Sequence, residues 1–147
     1  MIRSSAGGAA IWFQAASGEN TIVNGATGVI EYTGGSRNIM GVSGTMEITF
    51  TNRGQVLGSL NFADGNDTLN VYDGSSITGA INGGGGSNTL TLNGNGVGTF
   101  DQPFSNFQTL VKNDSGTWTL NNALPTSGIT STRVAGGTLV LGADASS

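Results

Sequence analysis

Asn88-Thr89-Leu90-Thr91-Leu92 and Gly116-Thr117-Trp118-Thr119-Leu120 carry one pattern. Each opens on a turn former and then alternates hydroxyl with large apolar side chains. That is the two-residue period of a strand with one face buried. Working outward, the pattern recurs at Thr21-Ile22-Val23-Asn24, Thr45-Met46-Glu47-Ile48, Thr68-Leu69-Asn70-Val71 and Thr138-Leu139-Val140-Leu141. Successive threonines stand 24, 23, 21, 28 and 21 residues apart. Read as columns, the residue after Thr is Ile22, Met46, Leu69, Leu90, Trp118 and Leu139, all apolar. The third after Thr is Asn24, Ile48, Val71, Leu92, Leu120 and Leu141, apolar except for Asn24. The position between them is mostly polar. Before each Thr stands Asn20, Gly44, Asp67, Asn88, Gly116 or Gly137, residues that turn the chain.

One strand per repeat of this length is too short for a propeller blade or a helical hairpin. It suits one coil of a parallel β-solenoid, so the chain reads as an all-β, single-stranded solenoid of about six coils. The anchors fall into two predicted inward stacks, Leu69-Leu90-Trp118-Leu139 and Val71-Leu92-Leu120-Leu141. Weaker apolar patches between them supply the other sides of each coil: Val29-Ile30, Val56-Leu57 and Leu60, Ile77 and Ile81, Val97 and Phe100, Phe107 and Leu110, Ile129 and Val134. Phe100, Phe104 and Phe107 fill an enlarged coil around Pro103. Asn82-Gly83-Gly84-Gly85-Gly86-Ser87 is a corner or a flexible excursion, since the repeat runs through it. The only helical candidate is Ala9 to Ala16; residues 1–20 read as an N-terminal cap or an irregular first coil. Residues 1–147 form one domain.

Composition narrows the function. Charged residues make up 10% of the chain, and the net charge is −4. The five bases, Arg3, Arg37, Arg53, Lys112 and Arg133, are scattered, whereas nucleic-acid binding needs clustered cations. With no Cys and no His, thiol chemistry, soft-metal sites and His-dependent nucleophilic schemes are excluded. No apolar run reaches the ~20 residues of a membrane helix. The start, Met1-Ile2-Arg3-Ser4-Ser5, lacks a signal-peptide core. If the protein is exported, the chain is an excerpt of a longer one.

Lys112-Asn113-Asp114-Ser115-Gly116-Thr117-Trp118-Thr119-Leu120 resembles the autotransporter-associated β-strand repeat, and so does Arg133-Val134-Ala135-Gly136-Gly137-Thr138-Leu139-Val140-Leu141-Gly142. The family pattern is a G-T-W-x-L strand followed one repeat later by V-x-x-G-T-L-x-L-G. Both halves stand here in order, over residues 105–144. The resemblance implies a right-handed parallel β-helix from the passenger of a Gram-negative type V secreted protein. It implies a C-terminal outer-membrane β-barrel translocator in the full-length protein, for which 147 residues leave no room. It also implies a secreted or surface-displayed stalk that supports folding and export, with adhesion to a host surface or self-association as its wider role, and no enzymatic activity.

Other readings attach to particular residues. Asp64-Gly65-Asn66-Asp67-Thr68-Leu69 is similar to one calcium-binding nonapeptide of the RTX type, whose turns share the ion between coils. The next coil offers Asn88 in place of the second Asp, so a plain Asx turn accounts for the stretch and no cofactor, metal or catalytic residue is assigned. A polysaccharide-binding or -degrading β-helix is a further alternative; Asp64, Asp67 and Asp73 are the only acidic cluster available to it, and they sit in turn-like sequence. A phage tailspike is a further β-helical possibility that the Gly116–Leu120 match disfavours. An ice-binding threonine face is disfavoured because Val23, Glu47, Asn70 and Val140 interrupt the rows. Trp118 reads as core; Trp12 is open between core and surface.

Overall fold

The computed structural model describes residues 1–5, 8–13, 17–35, 38–121 and 128–142. Among them are eighteen short strands, numbered β1–β18 along the chain, and no helix. Every ladder between them is parallel. One continuous sheet holds β3 (Glu19–Asn24), β6 (Glu47–Asn52), β9 (Thr68–Tyr72), β12 (Thr89–Asn93), β15 (Thr109–Lys112) and β17 (Ser131–Val134), in that spatial order. The strands that follow these, together with β1 before them, form a second group. It is split into a sheet of β1 (Ile2–Ser4), β4 (Val29–Tyr32), β7 (Gln55–Leu57) and β10 (Ser76–Ile77), and a sheet of β13 (Val97–Phe100), β16 (Thr117–Leu120) and β18 (Thr138–Leu141). The third group is β2 (Ile11–Trp12) with β5 (Met40–Gly41), and β8 (Leu60–Asn61), β11 (Ile81–Asn82) and β14 (Phe104–Ser105). As far as β16 the chain visits the groups in rotation and most strands pair with the one three before; β17 and β18 pair with β15 and β16, the strands two before, an arrangement consistent with a β-solenoid.

The alternation seen in the sequence sets which side chains go in. In the six-stranded sheet Ile22, Phe50, Leu69, Leu90 and Leu110 share one register position and face the core; Phe50, Leu69, Leu90 and Leu110 are fully buried. Ile30, Val56 and Ile77 line the second group, and Leu60, Ile81 and Phe104 the third. Phe100, Phe104, Phe107 and Phe62 close the wide coil edge to face, with ring centroids 5.6–6.4 Å apart.

The two inward stacks need correction. Thr89 pairs with Thr109, not Thr117, so Leu110 continues the stack after Leu69 and Leu90, and Lys112 continues the one after Val71 and Leu92. Trp118 and Leu120 belong to the second group: Trp118 stacks between Gly98 and Leu139, Leu120 between Phe100 and Leu141. Likewise Thr49, not Thr45, is the partner of Thr21 and Thr68. All sides of a solenoid carry the same alternation, so a threonine anchor identifies a strand but not its side. Thr109-Leu110-Val111-Lys112 carries the same alternation with a lysine at an inward position, so Leu110 reads in the sequence as a patch between anchors and not as part of the Leu69-Leu90 stack. Leu139 is partly buried and Leu141 is 52% exposed, since β18 has β16 on one side only among the described residues.

The N-terminal expectations resolve in part. Ile11–Trp12 is a strand paired with Met40–Gly41 and not a helix; residues 14–16 lie outside the described set. Trp12 is 64% exposed and lies across Gly41, where any Cβ would meet its ring. The glycine run at 82–87 is a tight corner between β11 and β12, with Gly84 and Gly86 at φ +76° and +74°, conformations that favour glycine.

Candidate functional site

Polar side chains concentrate where the strands turn. Ahead of the six-stranded sheet, Asp67 and Asn88 are buried and Gln108 is half-buried. Asp67 Oδ1 accepts the Ile48 N–H (2.6 Å), Asn88 Oδ1 the Asp67 N–H (2.8 Å) and Gln108 Oε1 the Asn88 N–H (2.6 Å). One side chain per coil thus satisfies the amide of the coil before it, which extends the strand ladder around the bend. Asn88 also donates through Nδ2 to the carbonyls of Gly83, Gly85 and Asn106 at 2.8–2.9 Å. A companion pair, Asn106 to Asn82 at 2.8 Å, braces the outside of the same corner.

Asp67 is where this ladder is incomplete. An amide at that position offers both an acceptor and a donor, whereas a carboxylate offers acceptors alone. Its Oδ2 is buried and has no hydrogen-bond partner. Loss of solvent raises the Asp67 pKa from 3.8 to about 6; the Ile48 N–H opposes this and the negative Glu47 adds to it. Asp64, at the same corner, is exposed, and the amide of Asn66 rests on Glu47 Oε1 at 3.4 Å.

The three acids singled out as a cluster are not brought together. Asp64 and Asp67 precede β9, Asp73 follows it, and a five-residue strand spans roughly 17 Å. Asp73 Oδ2 accepts the Gly96 N–H at 2.6 Å, a corner role like that of Asp67. At the matching corner of the next coil the carbonyls of Gly83 and Gly85 accept from Asn88, whose amide cannot replace a carboxylate's charge. Among the described residues no three acidic side chains converge on a point.

The opposite corner, after the six-stranded sheet, holds features the sequence reading passed over. Asn24, the polar exception in its column, is buried and donates to Asn52 Oδ1 at 2.8 Å and to the Gln55 carbonyl at 3.1 Å. Asn52 in turn donates to the Ser76 carbonyl at 3.1 Å. Lys112 is fully buried, and its ammonium meets the carbonyls of Asn113, Asp114 (3.1 Å) and Gly136 (3.2 Å). Three carbonyls match its three donors, the condition under which a cation is tolerated inside a protein. Trp118 packs beside this corner, 1% exposed, with Nε1 donating to the Asn93 carbonyl at 3.0 Å. Its ring lies over Gly98, where a Cβ would come within 2.6 Å of it. The legible signal was an Asn closing a strand just before or near a glycine, as in Asn24-Gly25 and Asn93-Gly94.

The outward side of the six-stranded sheet is also more regular than the anchors implied. Thr21, Thr49, Thr68, Thr89, Thr109 and Ser131 form one register column of hydroxyls. The adjacent column is mixed: Val23, Thr51, Asn70, Thr91, Val111 and Arg133. No helix among the described residues is long and apolar enough to cross a membrane. Comparison with family models, with curated proteins and with solved structures finds no match to this chain.

Proposed function

We propose that this chain is a structural segment of a secreted or surface-displayed autotransporter passenger, a right-handed β-helical stalk of about six coils without catalytic activity. The observation that carries the reading is the closure of polar groups at the corners. Asn88, Gln108, Asn24, Asn52 and Lys112, and Asp67 through one of its two oxygens, direct their hydrogen bonds to neighbouring coils, so they hold the stack together and turn toward no common cleft. Such a molecule resists bending because each coil is tied to its neighbours by ladder and corner alike. The repeat motifs at Lys112–Leu120 and Arg133–Gly142 support the same reading. Their Thr117–Leu120 and Thr138–Leu141 strands pair as neighbours in one sheet, and the motif tryptophan is buried there.

In the full-length protein an outer-membrane β-barrel translocator would carry this segment to the cell surface. Its partners there are a host surface or another copy of itself. Exposed Val134, Val140 and Leu141 on β17 and β18 support self-association, since apolar strands that have one ladder neighbour among the described residues invite further pairing.

The test is export. Fused between a signal peptide and an autotransporter barrel, the chain should reach the surface in a protease-resistant form. Trp118→Asp should lower surface display severalfold while leaving the barrel inserted. Equal display of both, or display of the parent in a protease-sensitive form, would contradict a stalk whose folding assists export.

A further inference from the structure

Asparagine followed by glycine is chemically labile, and the chain holds four such pairs: Asn24-Gly25, Asn82-Gly83, Asn93-Gly94 and Asn95-Gly96. The main-chain nitrogen of the second residue attacks the side-chain amide of the first, and glycine offers no side chain to obstruct it. The fold restrains each pair. Asn24 is buried, with its amide nitrogen engaged by Asn52 and Gln55. Gly83 donates its N–H to the Ser105 carbonyl at 2.9 Å, and Asn82 Oδ1 accepts from Gly84 and Asn106.

The tandem pair at 93–96 is held in another way, by two carboxylates from the flanking coils. The Gly94 N–H donates to Asp114 Oδ2 at 2.8 Å and the Gly96 N–H to Asp73 Oδ2 at 2.6 Å. Asn93 is buried as well, and its amide nitrogen donates to the carbonyls of Thr91 and Val71. Asn95 and Gly96 are exposed. Asn95 Oδ1 accepts only from Ser115, through its N–H (3.3 Å) and hydroxyl (2.9 Å). Glycine suits both positions here. Gly94 stands at φ +108°, and a Cβ on Gly96 would displace the Asp73 carboxylate. The corner thus favours the labile dipeptide and sets beside it a group that restrains it. Conversion requires the Gly96 nitrogen to release its proton and turn its electron pair onto Asn95 Cγ. Held on Asp73, that N–H points elsewhere. A bond to a charged acceptor is of the stronger kind, and a negative neighbour disfavours a nitrogen that is losing its proton.

We propose that Asn95 is a latent deamidation site and that Asp73 keeps it closed. Without Asp73, the Gly96 nitrogen bonds to Asn95 Cγ, the Cγ–Nδ2 bond breaks, and ammonia leaves with the proton that Gly96 gives up. Solvent water then opens the cyclic imide. Opening at Cγ leaves aspartate. Opening at the main-chain carbonyl leaves isoaspartate, with Cβ inserted into the backbone just ahead of β13, whose ladder with β16 begins at Val97 and Thr117. The inference does not depend on the stalk reading.

The test is to age parent and Asp73→Ala side by side in mildly alkaline buffer, each folded and each unfolded in urea. Peptide mass spectrometry with fragmentation follows the exchange of amide for acid at Asn24, Asn82, Asn93 and Asn95. Unfolded, both chains should convert Asn95 at one rate. Folded, the parent should convert it at least about tenfold more slowly than unfolded. Folded Asp73→Ala should convert it about tenfold faster than the folded parent, a barrier change of ~1.4 kcal/mol. Asn24 and Asn82 should keep the parent's rates in the folded variant, which separates loss of the restraint from general loosening. Asp73→Asn keeps an acceptor without the charge and should fall between the two; it carries the test if Asp73→Ala does not fold. Conversion of Asn95 in the folded parent as fast as in urea would overturn the proposal. So would folded variants no faster than the parent, or acceleration shared equally by Asn24, Asn82 and Asn95.

Discussion

Replacing Asp67 by Asn should stabilise this protein at neutral pH and flatten its response to acid. The folded state holds the Asp67 carboxyl at about 6 in place of 3.8, mainly because burial strips its water. A carboxyl raised in this way binds its proton more tightly folded than unfolded, so stability falls as pH rises from about 4 to about 6 and stays lower above that. The displacement corresponds to at most about 3 kcal/mol at pH 7, and roughly 1–3 kcal/mol is expected after relaxation. Asparagine keeps the acceptor for the Ile48 N–H, adds donors beside the orphaned Oδ2 position and carries no charge. It also copies Asn88, which fills the same place one coil later. Urea unfolding at pH 4, 5, 6, 7 and 8 for parent and variant gives the comparison. The variant should gain most above pH 6 and least at pH 4. Curves that run parallel across this range, or a variant weaker than the parent at pH 7, would refute the account of this corner.

Three more outcomes follow from the packing. Trp118→Ala should cost about 3–5 kcal/mol in the urea midpoint analysis, since it empties the space over Gly98 and frees the Asn93 carbonyl. Lys112→Met should cost about 2–4 kcal/mol by the same assay, because three carbonyls lose their donors, and Lys112→Arg should not restore it, since a planar fork cannot meet them as an ammonium does. Calcium at millimolar concentration should move the melting temperature by less than about 5 °C relative to excess chelator; a larger rise would mean that the free oxygen of Asp67 holds an ion.

The sequence carried the strand chemistry well and the strand addresses poorly. Leu69, Leu90 and Leu92 point inward and Thr68 and Thr89 outward as the alternation requires, because a pleat forces neighbours to opposite faces. The assignment of Trp118 to the same stack failed because every side of the solenoid shows the same local pattern. Only the lateral pairing of Thr89 with Thr109 separates them, and that is a relation between coils. Lys112 misled for a related reason: a lysine at an inward position looks like a break in the pattern until the carbonyls of Asp114 and Gly136 are seen around it. Asn24 and Asn52 look polar and solvated singly, yet as a stacked pair they are buried and satisfied. The hold of Asp73 on Gly96 has no sequence signal, since it too is a relation between coils.

The register is the claim on which the rest depends, and paired cysteines test it directly, because the chain contains none of its own. Thr89→Cys combined with Thr109→Cys places two thiols on adjacent outward positions of one sheet, near the ~4.4–6.8 Å Cα separation that a disulfide spans. Thr89→Cys combined with Thr117→Cys places them on different sheets. Under mild oxidation, followed by non-reducing mass spectrometry of the peptides, the first pair should cross-link within the monomer and the second should remain as free thiols. Cross-linking of the second pair in place of the first would contradict the stacking described here.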